Sequence, residues 1–286
     1  MEVNNNETTS VPTYISLCSG YDGIGIGLKK AIPNLRTIAH CEIEAYAVAN
    51  LIAKMEAGQM DEAPVFTDLK TFPYRELSGR VTVLSAGFPC QPFSSAGKRQ
   101  ATEDPRHLYP WIANGITAMR PRYVFLENVE GIISAKTADG ESVLKYVLGD
   151  LEERGYSCTW GVFSASEVGA PHQRKRVFIL AERVEDTSYE GLQGYSKRFQ
   201  PKQERIRQDG EHATETSIHN RKVKTKYPAR PREQQHEWEV QRTIKQPMGR
   251  TANGASYRVD RLRLLGNGVV PDTCELAFKT LIQQLI

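Results

Sequence analysis

No apolar run in this sequence approaches the roughly 18 residues needed to cross a membrane, so no membrane span is expected. The opening stretch MEVNNNETTS lacks the basic start and apolar centre of a secretory signal, which makes the cytoplasm the expected location. Cysteine is sparse and poorly patterned for cross-linking. The five cysteines, Cys18, Cys41, Cys90, Cys158 and Cys274, are odd in number and scattered, with no C-x-x-C pair and no histidine beside them at metal-ligand spacing. Neither a disulfide framework nor a bound metal is indicated. A large charge of either sign is missing too: a formal net charge of +3 permits nucleic-acid binding without demanding it. No internal repeat is evident, which sets aside solenoids and propellers.

What is present is the composition of an ordinary globular chain: 286 residues, 40% hydrophobic and 25% charged, enough for one sizeable core and a smaller second unit. Between residues 13 and 183, short β-rich runs alternate with amphipathic stretches, the pattern of βα units on a largely parallel sheet. The expected strands are TYISLC, RTIAHC, APVFTDL, VTVLSA, RYVFLENV, CTWGVFSA and RVFILAE. In SVLKYVLGDLEERG, residues Val143, Leu144, Val147, Leu148 and Leu151 share one helical face ahead of Gly155, which suits a helix end. From residue 184 to 254 neither period persists, and 14 Lys/Arg stand against 10 Asp/Glu, so this segment carries about +4 and the remainder about −1. Apolar periodicity returns in YRVDRLRLLGNGVVPDTCELAFKTLIQQLI, with a closing helix expected to begin near Pro271 or Asp272. The chain thus divides into an α/β domain over residues 1–183, a polar and basic module over 184–254, and a segment 255–286 that rejoins the first part.

The first site candidate is SLCSGYDGIGIGL, a strand entering a glycine-rich turn and then a helix. Glycines there let a ligand approach the backbone closely. The spacing of Gly20, Gly23, Gly25 and Gly27 does not match G-x-G-x-x-G, so a pyrophosphate cofactor is disfavoured. Glu42, about 20 residues on and at the end of the second strand, stands where a carboxylate holds ribose hydroxyls; Asp68, after the third, is placed to accept from an adenine amino group. Ribose and adenine without pyrophosphate point to S-adenosylmethionine. A tight turn with two solvated acids would explain any one of these features, but not all three at successive strand ends.

Cys90 follows the fourth strand, at the edge where open α/β sheets bind ligands. A lone cysteine is more often inert packing, yet Pro89 and Pro92 restrict the backbone and aim the thiol. Glu127 ends the apolar run of VFLENV, where a helix cap or salt bridge is the plainer alternative. In GAPHQRKRVFIL, alternation turns Arg174 and Arg176 the same way, as anion or base-edge ligands would be.

At these residues the sequence resembles the C5-cytosine DNA methyltransferases, over nearly everything except the 184–254 insert. PCQPF is similar to the family's nucleophile loop, ENV to its cytosine-gripping motif and QRKRVF to its paired-arginine motif. RLRLLGNGVVP resembles the closing motif beside the cofactor, and CEIEAY and DLKTF resemble the adenosine-contacting segments, all in the family's order. The resemblance implies an α/β, Rossmann-like S-adenosylmethionine-dependent methyltransferase sheet with a small, polar target-recognition insert. It implies a DNA (cytosine-5-)-methyltransferase in which Cys90 is the nucleophile, Glu127 contacts N3 and N4 of the base, and Arg174 and Arg176 bind the flipped base and a nearby phosphate. Cofactor contacts fall by the same resemblance on Cys18, Gly20, Gly23, Glu42, Ile43, Asp68, Leu69, Pro89, Leu108 and Asn267. Cys18 and Asp22 stand where phenylalanine and glycine are usual, His172 where glutamine is usual, and Gly268 where serine is frequent; DPRHLYP is one residue shorter than its counterpart. The partner implied is double-stranded DNA, without metal or membrane; the resemblance leaves room for a cognate restriction endonuclease, and a monomer is expected.

These groups suit one chemistry. Cytosine C5 is too electron-poor to be methylated directly, so a thiolate adds at C6, while an acid at N3 and an arginine at O2 offset the charge that builds on the ring. The base must leave the duplex for this, and SSAGKRQ, with Lys98 and Arg99, is placed to close over it near phosphates. Three other readings stand beside this one: an RNA cytosine-5 methyltransferase, a catalytically silent nucleic-acid-binding relative, and a thiol hydrolase using Cys90 with a histidine base.

Overall fold

The computed structural model describes residues 11–89, 108–137, 139–184, 227, 229, 234–239 and 264–285. A strand forms at each expected run, the third over only two of its residues: β1 (Thr13–Leu17), β2 (Arg36–Cys41), β3 (Val65–Phe66), β4 (Val83–Gly87), β5 (Tyr123–Val129), β6 (Tyr156–Ser164) and β7 (Lys175–Arg183). Helices α1 (Gly23–Ala31), α2 (Ala45–Glu56), α3 (Tyr109–Met119), α4 (Val143–Glu153) and α5 (Pro271–Leu285) lie between and after them. In α4 the expected apolar face buries Val143, Leu144, Val147 and Leu151, with Leu148 half-buried. Gly155, at φ 84°, closes the helix by donating its N–H to the Glu152 carbonyl. Helix α5 begins at Pro271, where a missing N–H costs nothing.

The strands form a single sheet in the order β3-β2-β1-β4-β5-β7-β6. The β1–β2, β2–β3, β1–β4 and β4–β5 pairs are parallel, whereas β7 runs antiparallel to both β5 and β6. Six strands, β6 included, therefore run in one direction and β7 alone is reversed, in keeping with the largely parallel sheet expected. Two consequences place the site. The chain leaves β1 toward β2 on one side and later returns to β4 on the other, so the carboxyl ends of β1 and β4 flank the crevice where such sheets take ligands. Because β7 is antiparallel, its beginning lies at that same edge.

Both faces of the sheet are covered, and the strands are correspondingly apolar on alternate residues of either side. One face packs Ile15, Leu17, Leu84, Leu126 and Ile179 against α3 and α4 through residues such as Ile112, Ile116, Val147 and Leu151. The other packs Tyr14, Val83, Phe125, Phe178 and Leu180 against α1 and α5. The Phe125 and Phe178 rings stack at 5.4 Å between centroids, with Phe278 of α5 edge-on to Phe125 at 5.5 Å. Helix α5 is thus part of the same core as the first 183 residues. Residues 185–226 of the segment expected to recognise DNA lie outside the described residues. So does most of what remains of it: only Val184, Tyr227, Ala229 and 234–239 are described.

Candidate active site

The turn after β1 is built from unusual backbone. Cys18 (φ 52°), Gly20 (φ 54°) and Asp22 (φ 63°) all adopt left-handed conformations, which folds the chain sharply into α1. Asp22 is buried and accepts hydrogen bonds from Ser16 Oγ at 2.9 Å and Tyr14 Oη at 3.3 Å. Burial pushes its carboxyl up to about 6, against those hydrogen bonds. A Cβ on Gly25 would overlap the Asp22 carboxylate, so an aspartate here requires the glycine three positions on.

The first two strand ends are joined directly. Gly20 donates its N–H to Glu42 Oε2 at 2.6 Å, and Glu44 donates its N–H to Glu42 Oε1 at 2.9 Å. Both oxygens of this buried carboxylate are therefore oriented, with lone pairs left over for hydroxyl donors. Beside it Ile43 is 74% exposed, an apolar surface facing outward where a flat ring could rest. Asp68, beyond β3, accepts the Lys70 N–H at 2.9 Å, and Leu69 is buried behind it.

The ends of β4 and β5 carry the second half of the site. Gly87 pairs with Glu127, and a Cβ on Gly87 would lie 3.2 Å from Glu127 Oε2, so the glycine leaves room for the carboxylate. Antiparallel β7 sets Arg176 opposite Val129, two residues from Glu127 and on its side of the sheet. Arg176 Nε donates to Glu127 Oε1 at 2.9 Å. Burial nonetheless wins: it pushes the Glu127 carboxyl up to about 7, with Arg176 and Arg174 opposing the shift. An acid with that value keeps a proton near neutrality and has an arginine to balance it once the proton is gone.

These halves open onto one cavity of about 690 Å³. Cys18, Gly20, Gly23, Glu42, Ile43 and Asp68 line it, as do Leu69, Pro89, Leu108, Asn267, Glu127 and Arg176. Cys90, together with Pro92, Lys98 and Arg99, lies outside the described residues. Arg174 is brought near but turned elsewhere. Its φ of 39° departs from the extended geometry that would have aimed it with Arg176, and its Nη2 donates to the carbonyls of Gly266, at 2.7 Å, and Gly268. Asn128, to which the sequence assigns no role, donates from Nδ2 to the Phe88 carbonyl at 3.0 Å and fixes the chain two residues before Cys90. Its place directly after Glu127 is the one signal that marks it. Tyr21 and Trp111 also line the cavity, and nothing local in the sequence marks either.

Among described residues no helix is long and apolar enough to cross a membrane. Comparison with known proteins gives consistent results. The family described as C-5 cytosine-specific DNA methylase matches residues 13–282. A type II methyltransferase, M.NgoBV of Neisseria gonorrhoeae, is 31% identical over 224 residues, covering 75% of this chain and 50% of that protein. M.MspI of a Moraxella species, also named a type II methyltransferase, is 40% identical over 101 residues, 35% of this chain and 23% of that one. The chain thus spans about half or less of the length of these curated relatives. A solved DNMT2 structure from Spodoptera frugiperda shares the fold at a TM-score of 0.50 and 21% identity, over 62% of this chain and 51% of that one. With the matched region running from β1 to α5, the chain belongs to the C-5 cytosine-specific DNA methylase family.

Proposed function

We propose that the chain acts as a DNA (cytosine-5-)-methyltransferase, taking a methyl group from S-adenosylmethionine and placing it on C5 of a cytosine flipped out of duplex DNA. The observation that carries this is Glu127: a carboxyl held near neutrality by burial, paired with Arg176, in the same cavity as the doubly oriented Glu42. The cavity also fits the cofactor. Its volume is within the range of small-molecule sites. Glu42 offers acceptors for a ribose and Ile43 an apolar face for an adenine, and the turn has no phosphate-binding glycine spacing.

When bound, S-adenosylmethionine supplies an electrophilic methyl group. The residues do the rest. The Cys90 thiolate forms a bond to C6 and pushes the ring electrons toward C5. Glu127 donates its proton at N3, and Arg176 offsets charge on the base edge while holding the carboxylate left behind. After C5 has been methylated, Glu127 takes the N3 proton back, a base removes the C5 proton so that its electron pair re-forms C5=C6, and the S–C6 electron pair returns to Cys90. Asn128, through the Phe88 carbonyl, holds the approach to the nucleophile.

Residues 184–254 are proposed as the target-recognition region. Their excess of basic residues and lack of an apolar period support phosphate contact over core formation. A cytoplasmic monomer acting on double-stranded DNA follows from this reading. The type II names of the relatives support a companion restriction endonuclease.

The test is transfer of labelled methyl from S-adenosylmethionine to duplex DNA, with RNA as a parallel substrate. Wild-type protein is expected to label duplex DNA and to form a covalent complex with DNA containing 5-fluorocytosine. Cys90→Ala should lose both. Labelling of RNA alone, or an active Cys90→Ala protein, would overturn the proposal.

A further inference from the structure

The segment 264–270 reaches the turn after β1 from the far end of the chain: the hydroxyl of Tyr21 donates to the carbonyl of Val269, 248 positions away. The fit there is tight. A Cβ on residue 268 would overlap Cε1 of the Tyr21 ring and lie 2.7 Å from Cδ1, so the ring occupies the space that any side chain at 268 would need. The ring itself is pinned. Lys54 of α2 donates to the Tyr21 carbonyl at 2.9 Å, and its ammonium stands 5.2 Å from the ring centroid. From the side of β7, Arg174 donates to the carbonyls of Gly266 and Gly268. Tyr21, Gly266, Gly268 and Val269 all form cavity wall, next to Asn267.

We propose that Tyr21 and Arg174 are positioning residues that form a clasp, and that Tyr21 and Gly268 are a matched pair. The large ring in the glycine turn is accommodated by the absent side chain at 268, and together they set the wall that closes the cofactor cavity. Arg174 holds the same turn from two residues before Arg176, so the partner of Glu127 and the cofactor wall share one anchor. This inference rests on the S-adenosylmethionine reading above and deepens it. A loosened clasp leaves Glu42 in place but misplaces Asn267 and Val269 relative to it.

The test is calorimetric titration of the full chain with S-adenosylhomocysteine, with thermal melting of each ligand-free variant. Gly268→Ala is expected to weaken binding by about tenfold or more, because the added methyl must displace a pinned ring. Tyr21→Ala should weaken it severalfold by removing the wall. The double variant Tyr21→Ala/Gly268→Ala should bind about as well as Tyr21→Ala alone, since the space the methyl needs is then free. Tyr21→Phe keeps the ring but not the bond to Val269, and should lose affinity while melting near the wild-type temperature. Losses that multiply in the double variant, or unchanged affinity in both Gly268→Ala and Tyr21→Phe, would overturn the clasp. A wild-type protein that binds no S-adenosylhomocysteine would instead overturn the cofactor reading on which it stands.

Discussion

Glu127 shows how one residue is tuned by its surroundings. A glutamate at the end of an apolar strand has an ordinary value near 4.5, and a neighbouring arginine would lower it. At 7% exposure, burial outweighs both arginines and raises it to about 7. The direction decides the pH dependence. Below about 7 the carboxyl holds the proton that the proposed addition step consumes; above it the proton is gone. Corrected for the rise in Cys90 thiolate, single-turnover methyl transfer should therefore show a descending limb with an apparent value near 7 on the alkaline side. Glu127→Gln, which cannot give up a proton, should be slower by roughly a hundredfold or more and should lack that limb. A wild-type rate that rises through pH 8 as steeply as that of Glu127→Gln would show that some other group supplies the proton.

At the scale of elements, glycine decides how α1 meets its neighbours. Helix interiors disfavour glycine by about 1 kcal/mol relative to alanine, so the glycines of α1 need a packing reason. Gly27 has one: a Cβ there would lie 2.7 Å from the Cβ of Cys274 and 2.9 Å from its Sγ, and would overlap the Pro271 carbonyl. Helix α5 comes close enough to cover its side of the sheet because that position carries no side chain. Gly149 of α4 is the opposite case, with nothing within 4 Å of where its Cβ would be. Gly27→Ala is expected to lower the urea midpoint, since overpacking of roughly 1–3 kcal/mol exceeds the propensity gain. Gly149→Ala should raise it, by up to about 1 kcal/mol. The two substitutions are chemically identical, so opposite signs isolate the packing of α1 against α5.

Across the whole molecule, charge is unevenly distributed. The described domain contains the cavity and the acid, while the excess of positive charge falls on residues 184–254. If that segment engages DNA as proposed, binding should weaken steeply with salt. Replacing Arg221, Lys222, Lys224 and Lys226 by glutamine should then flatten the logarithmic slope by up to about 0.9 for each phosphate no longer neutralised. Filter binding of duplex DNA across a salt series checks this, and an unchanged slope would remove those four residues from the interface.

The seven strands, the apolar face of α4 and the start of α5 follow from local sequence, because side-chain periodicity and the special backbone of glycine and proline act over a few residues. The same holds for Glu42 and Asp68: acids at successive strand ends reach a common edge once the sheet is parallel. What the tertiary structure decided involves groups distant in sequence. The antiparallel course of β7 brings Arg176 to Glu127, and no property of RVFILAE alone gives its direction. Alternation along the chain makes Arg174 the twin of Arg176, but with a left-handed backbone its guanidinium donates to two carbonyls beyond residue 264. Tyr21 looks ordinary in sequence and Gly268 is marked there only as standing in place of a frequent serine; the two meet only where the chain closes on itself. The raised carboxyl of Glu127 has the same origin, because burial is a property of the assembled core and not of any segment that enters it.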